Sequence, residues 1–215
     1  MAKGKETGNF VYAMMCSATG QCYIGRTSNL LARYKQHLKD PKDAFASIVS
    51  QYGEESIIMI TLKSNLTLEG SMAYEAKFIF QNYFNAELIN RTFPSVRNIV
   101  RLITSADDER YWRTQFKRID EDLCSDNPRM RYVWKKPDSL QNDLNFWLIE
   151  KERESWFAAE MRKPNMQRQL EGLEGRERKH REINLKQQIA PLCPIPSWYT
   201  QKKKFKYGIC ENIEQ

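Results

Sequence analysis

The chain is poor in the residues from which metal clusters and disulfide frameworks are built. It has two histidines, His37 and His180, and five cysteines, Cys16, Cys22, Cys124, Cys193 and Cys210, with no Cys-x-x-Cys spacing. An odd, scattered set of thiols excludes a disulfide scaffold and does not offer the close ligand spacing of a zinc finger; it fits a reduced cytoplasmic protein. No apolar run approaches the roughly 18 residues of a membrane span. The polar, charged start at residues 1–9 is no secretory signal, so no membrane partner is expected. There is no internal repeat. Acids are missing too where many hydrolases concentrate them, because the three segments that read as strands contain no Asp or Glu. That absence argues against a cluster of carboxylates holding two metal ions.

What is present is a chain of 215 residues, 41% apolar and 28% charged, enough for a real core. Its net charge of +7 is unevenly placed: residues 1–90 carry a surplus of +1 and residues 91–215 a surplus of +6. A basic excess of this kind favours a polyanionic partner.

The chemistry concentrates in residues 9–38, NFVYAMMCSATGQCYIGRTSNLLARYKQHL. Two short apolar strands, 10–15 and 22–24, flank a small-residue turn at 17–20 whose Gly20 can take a positive φ. Thr27 or Ser28 can cap a helix running to about Lys39. Leu31, Tyr34 and Leu38 have the spacing of a core stripe on that helix, with Leu30, Arg33 and His37 on the neighbouring face. Arg33 and His37, four apart, project side by side. Asp43 can cap a second helix at about 44–52 that ends at Gly53. Residues 56–62 form a near-continuous apolar run suited to the middle of a small sheet. A helix at about 68–83 carries the stripe Met72, Ala76, Ile79, Phe80 and Tyr83, with Glu75 set into it. An acid there costs several kcal/mol, on the order of a buried unpaired charge, unless it is paired or bound to a metal.

This pattern resembles the core of the GIY-YIG nuclease family. Phe10-Val11-Tyr12 stands in the first tripeptide, with Phe10 and Val11 replacing its Gly and Ile, and Tyr23-Ile24-Gly25 is the second. Thr27, Asn29-Leu30, Arg33 and His37 follow at the family's spacing, then Glu75 and Asn90, so the resemblance spans about residues 9–92. It implies an α/β domain, a small three-stranded mixed or antiparallel sheet flanked by helices. It further implies a metal-dependent endonuclease acting on double-stranded DNA in a bacterial or phage-infected cell. Tyr12, Tyr23, Arg33, His37 and Glu75 would be catalytic, and Glu75 would hold one Mg²⁺ or Mn²⁺ ion. Arg26 and Asn90 would support the site, and no nucleotide cofactor is expected. Tyr12 is the expected general base, with Tyr23 aligning the water or sharing the task, and Arg33 together with the metal is expected to lower the phenol's pKa. The lone domain with a modest extension looks like a phage or homing endonuclease; a type II restriction enzyme and a non-catalytic DNA-binding protein are the alternatives.

Residues 1–8 read as a disordered leader, and 93–215 as a mainly helical basic region for DNA binding or homodimerisation. Helices are expected at about 105–123, with Trp112, Phe116, Ile119 and Leu123 on one face, and at about 139–162, burying Leu140, Leu144, Trp147 and Leu148. The charged stretch 165–189 has too few apolar residues for a core helix. Arg129, Arg131, Lys135 and Lys136 interleave with aromatics as in nucleic-acid binders. Arg178, Lys179 and Arg181, and the lysines of 202–206, add further candidate phosphate contacts.

Overall fold

The computed structural model describes residues 8–40, 43–90, 92–125 and 139–194. The chain divides into two compact units, Met1–Leu144 and Asn145–Gln215. The leader, the aromatic-basic residues Arg129, Arg131, Lys135 and Lys136, and the lysines of 202–206 concern residues outside those described.

The first unit is built on three antiparallel strands, β1 (Asn9–Cys16), β2 (Cys22–Thr27) and β3 (Ile57–Leu66), in the order β2-β1-β3. Strand β1 is central because it is apolar on both faces. Tyr12, Met14 and Cys16 face one core with Phe45 and Ile48, whereas Val11 faces another with Ile24 and Ile79. The expectation that 56–62 fills the middle of the sheet is therefore corrected. Strand β3 is an edge, and Ile58 and Ile60 are exposed on it. A run of apolar residues gives strand propensity but not strand order.

Helices α1 (Leu30–Lys39) and α2 (Ala44–Tyr52) lie over the Tyr12 face, and α3 (Leu68–Gln81) over the Val11 face. Asn29, not Thr27 or Ser28, caps α1 through the Ala32 N–H, while the Thr27 hydroxyl accepts from the Asn29 N–H. The stripe assigned to α1 is also corrected: Leu31 is 64% exposed, and the inward face consists of Leu30, Tyr34, His37 and Leu38. With apolar residues on two adjacent faces, periodicity left the helix's rotation open by about one residue.

The packing of this unit continues past residue 92. The short α4 (Val96–Val100) buries Val96, Ile99 and Val100, and α5 (Ala106–Leu123) buries Trp112, Phe116, Ile119 and Leu123 as its periodicity predicts. Phe80 of α3 meets Phe93, Trp112 and Phe116 at centroid distances of 5.8, 6.5 and 4.9 Å. Asp120 of α5 caps α6 (Leu140–Met161), accepting from the Leu140 and Gln141 N–H groups at 2.8 and 3.1 Å.

In the second unit α6 continues into α7 (Pro164–Arg168) and α8 (Gly175–Ile189) around a core of Met161, Leu170, Leu185 and Ile189. The stretch judged too polar for a core helix is helical at α8 with only Leu185 and Ile189 buried, so most of its surface is left to charge.

Candidate active site

Alternation along a strand decides which side chains meet. Tyr12 on β1 pairs in register with Gly25 on β2, and Tyr23 pairs with Met14, so both tyrosines share the face covered by α1. A β-carbon at Gly25 would lie 2.6 Å from the Tyr12 hydroxyl and 2.7 Å from the Tyr23 ring. The glycine of Tyr23-Ile24-Gly25 is thus required by close approach: any side chain there would displace both rings.

The bonds around Tyr12 form a chain. Arg33 Nε donates to the Tyr12 hydroxyl at 3.0 Å, and that hydroxyl lies 2.7 Å from His37 Nε2. On its other side, His37 Nδ1 is 2.6 Å from Asp43 Oδ2. Tyr12 and His37 are 0% and 1% exposed, so these bonds are shielded from competing water. The Tyr23 ring stands edge-on to His37 at 5.1 Å.

Burial sets the charge states. It pushes the Tyr12 phenol well above its ordinary value, outweighing the Arg33 hydrogen bond that pulls it down. Tyr23 is raised for the same reason. Arg33 thus acts in the expected direction, but without a metal ion the desolvation of phenolate is the larger effect and the phenol stays neutral. His37 is lowered, chiefly by burial, although Asp43 acts to raise it.

Glu75 and Arg26 form the more open part. On β2 Arg26 alternates to the face of Ile24, where α3 lies, and its Nε donates to Glu75 Oε2 at 3.1 Å. Burial raises the Glu75 carboxyl, while Arg26 and, more weakly, Arg33 lower it. Glu75 in turn acts to raise both tyrosines, so the two parts lie within electrostatic reach of each other. Arg26, expected as a supporting phosphate contact, is thus the carboxylate's own partner.

No group of three or more His, Cys, Asp or Glu side chains that could hold a metal occurs among the described residues. A two-metal carboxylate centre is not available there. A single partly exposed carboxylate does fit Mg²⁺, which keeps several waters and takes one or two protein carboxylates.

Asn90 does not touch these groups. Its amide is buried, accepting from the Ile24 N–H at 2.9 Å and donating to the Ile24 carbonyl at 2.7 Å. Together with the Cys22–Leu88 bridge it completes the outer edge of β2 and so holds the strand bearing Tyr23 and Gly25. The neighbouring Asn82 and Asn85 bond to local backbone at Phe78 and Glu87 instead.

Sequence reasoning gave Asp43 only the capping task. That task is real, since Oδ1 accepts from the Phe45 N–H at 3.0 Å, but the other oxygen holds His37. The available signal was an acid just beyond the end of the His37 helix. Of the candidate DNA contacts, Arg178, Lys179 and Arg181 lie on α8 in the second unit, where Arg178 bonds Glu182 and Arg181 bonds Gln169.

Among the described residues no helix is long and apolar enough to cross a membrane. No curated protein and no solved structure matches the chain. The family described as the GIY-YIG catalytic domain matches residues 8–85, the segment that holds Tyr12, Tyr23, Arg33, His37, Asp43 and Glu75. That segment is a GIY-YIG catalytic domain, with the nuclease fold of that family.

Proposed function

We propose that the protein is a metal-dependent DNA endonuclease of the phage or homing type. The observation that carries this reading is the joining of a buried tyrosine to a histidine at 2.7 Å and an arginine at 3.0 Å, with Glu75 in electrostatic reach. A structural tyrosine needs one hydrogen-bond partner; this one is placed between a proton acceptor and a cation.

Phosphodiester hydrolysis requires a deprotonated water, neutralised phosphate charge and a protonated leaving oxygen. A divalent ion on Glu75 would supply Lewis acidity at the phosphate. Arg33 holds phosphate oxygens and stabilises charge developing on them. Tyr12 is covered while Arg33 rests on it, so engagement of Arg33 by a phosphate is what opens the phenol oxygen to water. Tyr12 then takes a proton from water as its own passes to His37 Nε2. Tyr23, partly exposed beside them, aligns the water. A cation on Glu75 would release Arg26 from its ion pair, leaving it free to contact the DNA backbone.

The exposed basic residues of α8, Arg178 and Lys179, and the partly covered Arg181 supply phosphate contacts outside the active site. Supercoiled plasmid incubated with the full chain in Mg²⁺ or in EDTA tests the reading. Nicked or linear product in Mg²⁺ alone is expected. Intact plasmid under both conditions would leave a non-catalytic DNA-binding protein. Cleavage at one short palindrome, seen by sequencing the ends, would favour the restriction-type alternative.

A further inference from the structure

We propose that Asp43 is a positioning residue for the proton transfer from Tyr12: it fixes the His37 tautomer that leaves Nε2 free to receive that proton. The proposal rests on the endonuclease reading for its catalytic consequence, but not for its structural content. A carboxylate can only accept, so Asp43 Oδ2 at 2.6 Å places the His37 proton on Nδ1. Nε2 then presents a lone pair. The phenol is bound to match, because its oxygen already accepts from Arg33 Nε and its hydrogen is free to point at Nε2, 2.7 Å away.

The proton count closes. One proton passes from water to the Tyr12 oxygen as the Tyr12 proton passes to His37 Nε2. The resulting imidazolium carries its charge next to the Asp43 carboxylate. His37 is 1% exposed, so without such a partner that charge would form in a site with little access to water.

Asp43 is suited to this as no neutral residue is, since two N–H groups need its two oxygens at once. Oδ1 serves the Phe45 N–H at the start of α2, and Oδ2 serves His37. An asparagine has one acceptor. Turned to keep the cap, it would offer an N–H₂ to His37 Nδ1, force the proton onto Nε2 and leave Tyr12 facing a donor. In the analogous Asp-His-Ser arrangement of proteases, a change of this kind with the geometry intact costs about four decades in rate.

The experiment compares the full-length wild type with Asp43→Asn and Asp43→Ser. Both substitutions keep a good helix cap, so thermal melts are expected to stay close to the parent. The first readout is nitrogen NMR of the imidazoles in metal-free, DNA-free protein, with His180 as the exposed reference. The wild type should carry its His37 proton on Nδ1, and Asp43→Asn should carry it on Nε2. The second is single-turnover plasmid cleavage, in which Asp43→Asn should lose about three to four decades and Asp43→Ser less, because serine imposes no tautomer. A packing role alone predicts the reverse order, since asparagine is the closer match in shape. An unchanged tautomer in Asp43→Asn, or cleavage within threefold of the wild type, overturns the proposal. If the wild type itself cuts no plasmid, the endonuclease reading fails, and the tautomer measurement still decides what Asp43 does.

Discussion

Tyr12 and His37 are sealed from solvent, whereas the side chains of Arg26 and Glu75 keep 33% and 23% of their exposure. The sealed part holds a neutral phenol and a neutral imidazole in a fixed chain of hydrogen bonds, with burial acting against charge on either ring. The open part is an ion pair that water and ions can reach, and its partners can be exchanged. In the proposed endonuclease, the difference separates two requirements of phosphodiester hydrolysis. Moving a proton needs groups held at fixed distance with balanced affinities, and a dry chain provides that. Receiving a polyanion and a cation needs charges that can change partners, which only the open side allows.

If this division is right, its parts should fail differently. The largest effect is expected for Glu75→Ala, which should abolish Mg²⁺-dependent cleavage while leaving the fold and DNA binding largely intact, as measured by plasmid cleavage, melting and gel shift. Near-normal turnover would remove Glu75 from the chemistry. Arg33→Ala acts on the group that serves both parts and should lower the cleavage rate by at least about two decades. It should also raise the Tyr12 pKa further, because the guanidinium that pulls it down is lost; a phenol titration by ultraviolet absorbance of the wild type and the variant checks this.

Much of this arrangement was legible in the chain. Tyr12, Tyr23, Arg33 and His37 stood out by their spacing on adjoining strands and one helix, and Glu75 as an acid in an apolar stripe, while their catalytic roles came from the resemblance to the GIY-YIG family. Asp43 was seen only as a cap, since its second partner, six residues earlier, depends on how the turn between α1 and α2 folds back. The rotation of α1 was misjudged at Leu31 and the place of β3 in the sheet at Ile58 and Ile60, because hydrophobic pattern reports faces and not neighbours. The pull of Arg33 on the Tyr12 phenol was legible as charge near it, but the desolvation that outweighs it in the metal-free site requires knowing that Tyr12 is fully covered.

Smaller effects should follow away from the reacting groups. Joint replacement of Arg178, Lys179 and Arg181 by glutamine should reduce the slope of log affinity against log salt by about two to three, as expected for roughly three phosphate contacts. The cleavage rate at saturating DNA should stay near the parent's. An unchanged slope would assign α8 another task, such as homodimerisation. Asn90→Ala leaves the Ile24 N–H and carbonyl without partners, and should lower stability by about 1–3 kcal/mol. Urea denaturation measures that, and a loss of rate without loss of stability would place Asn90 in the chemistry instead.

The central claim is that the sealed chain on Tyr12 moves the proton. Its most direct test is single-turnover cleavage by the wild type and by Tyr12→Phe across pH 5–9, since that substitution deletes only the hydroxyl. The substitution should cost at least about two decades at neutral pH. The wild type should keep its rate to below pH 6.5, because the lowered His37 takes up a bulk proton, and so loses its accepting lone pair, only below that value. Cleavage by Tyr12→Phe at the parent's rate would contradict the claim and pass the role of base to Tyr23.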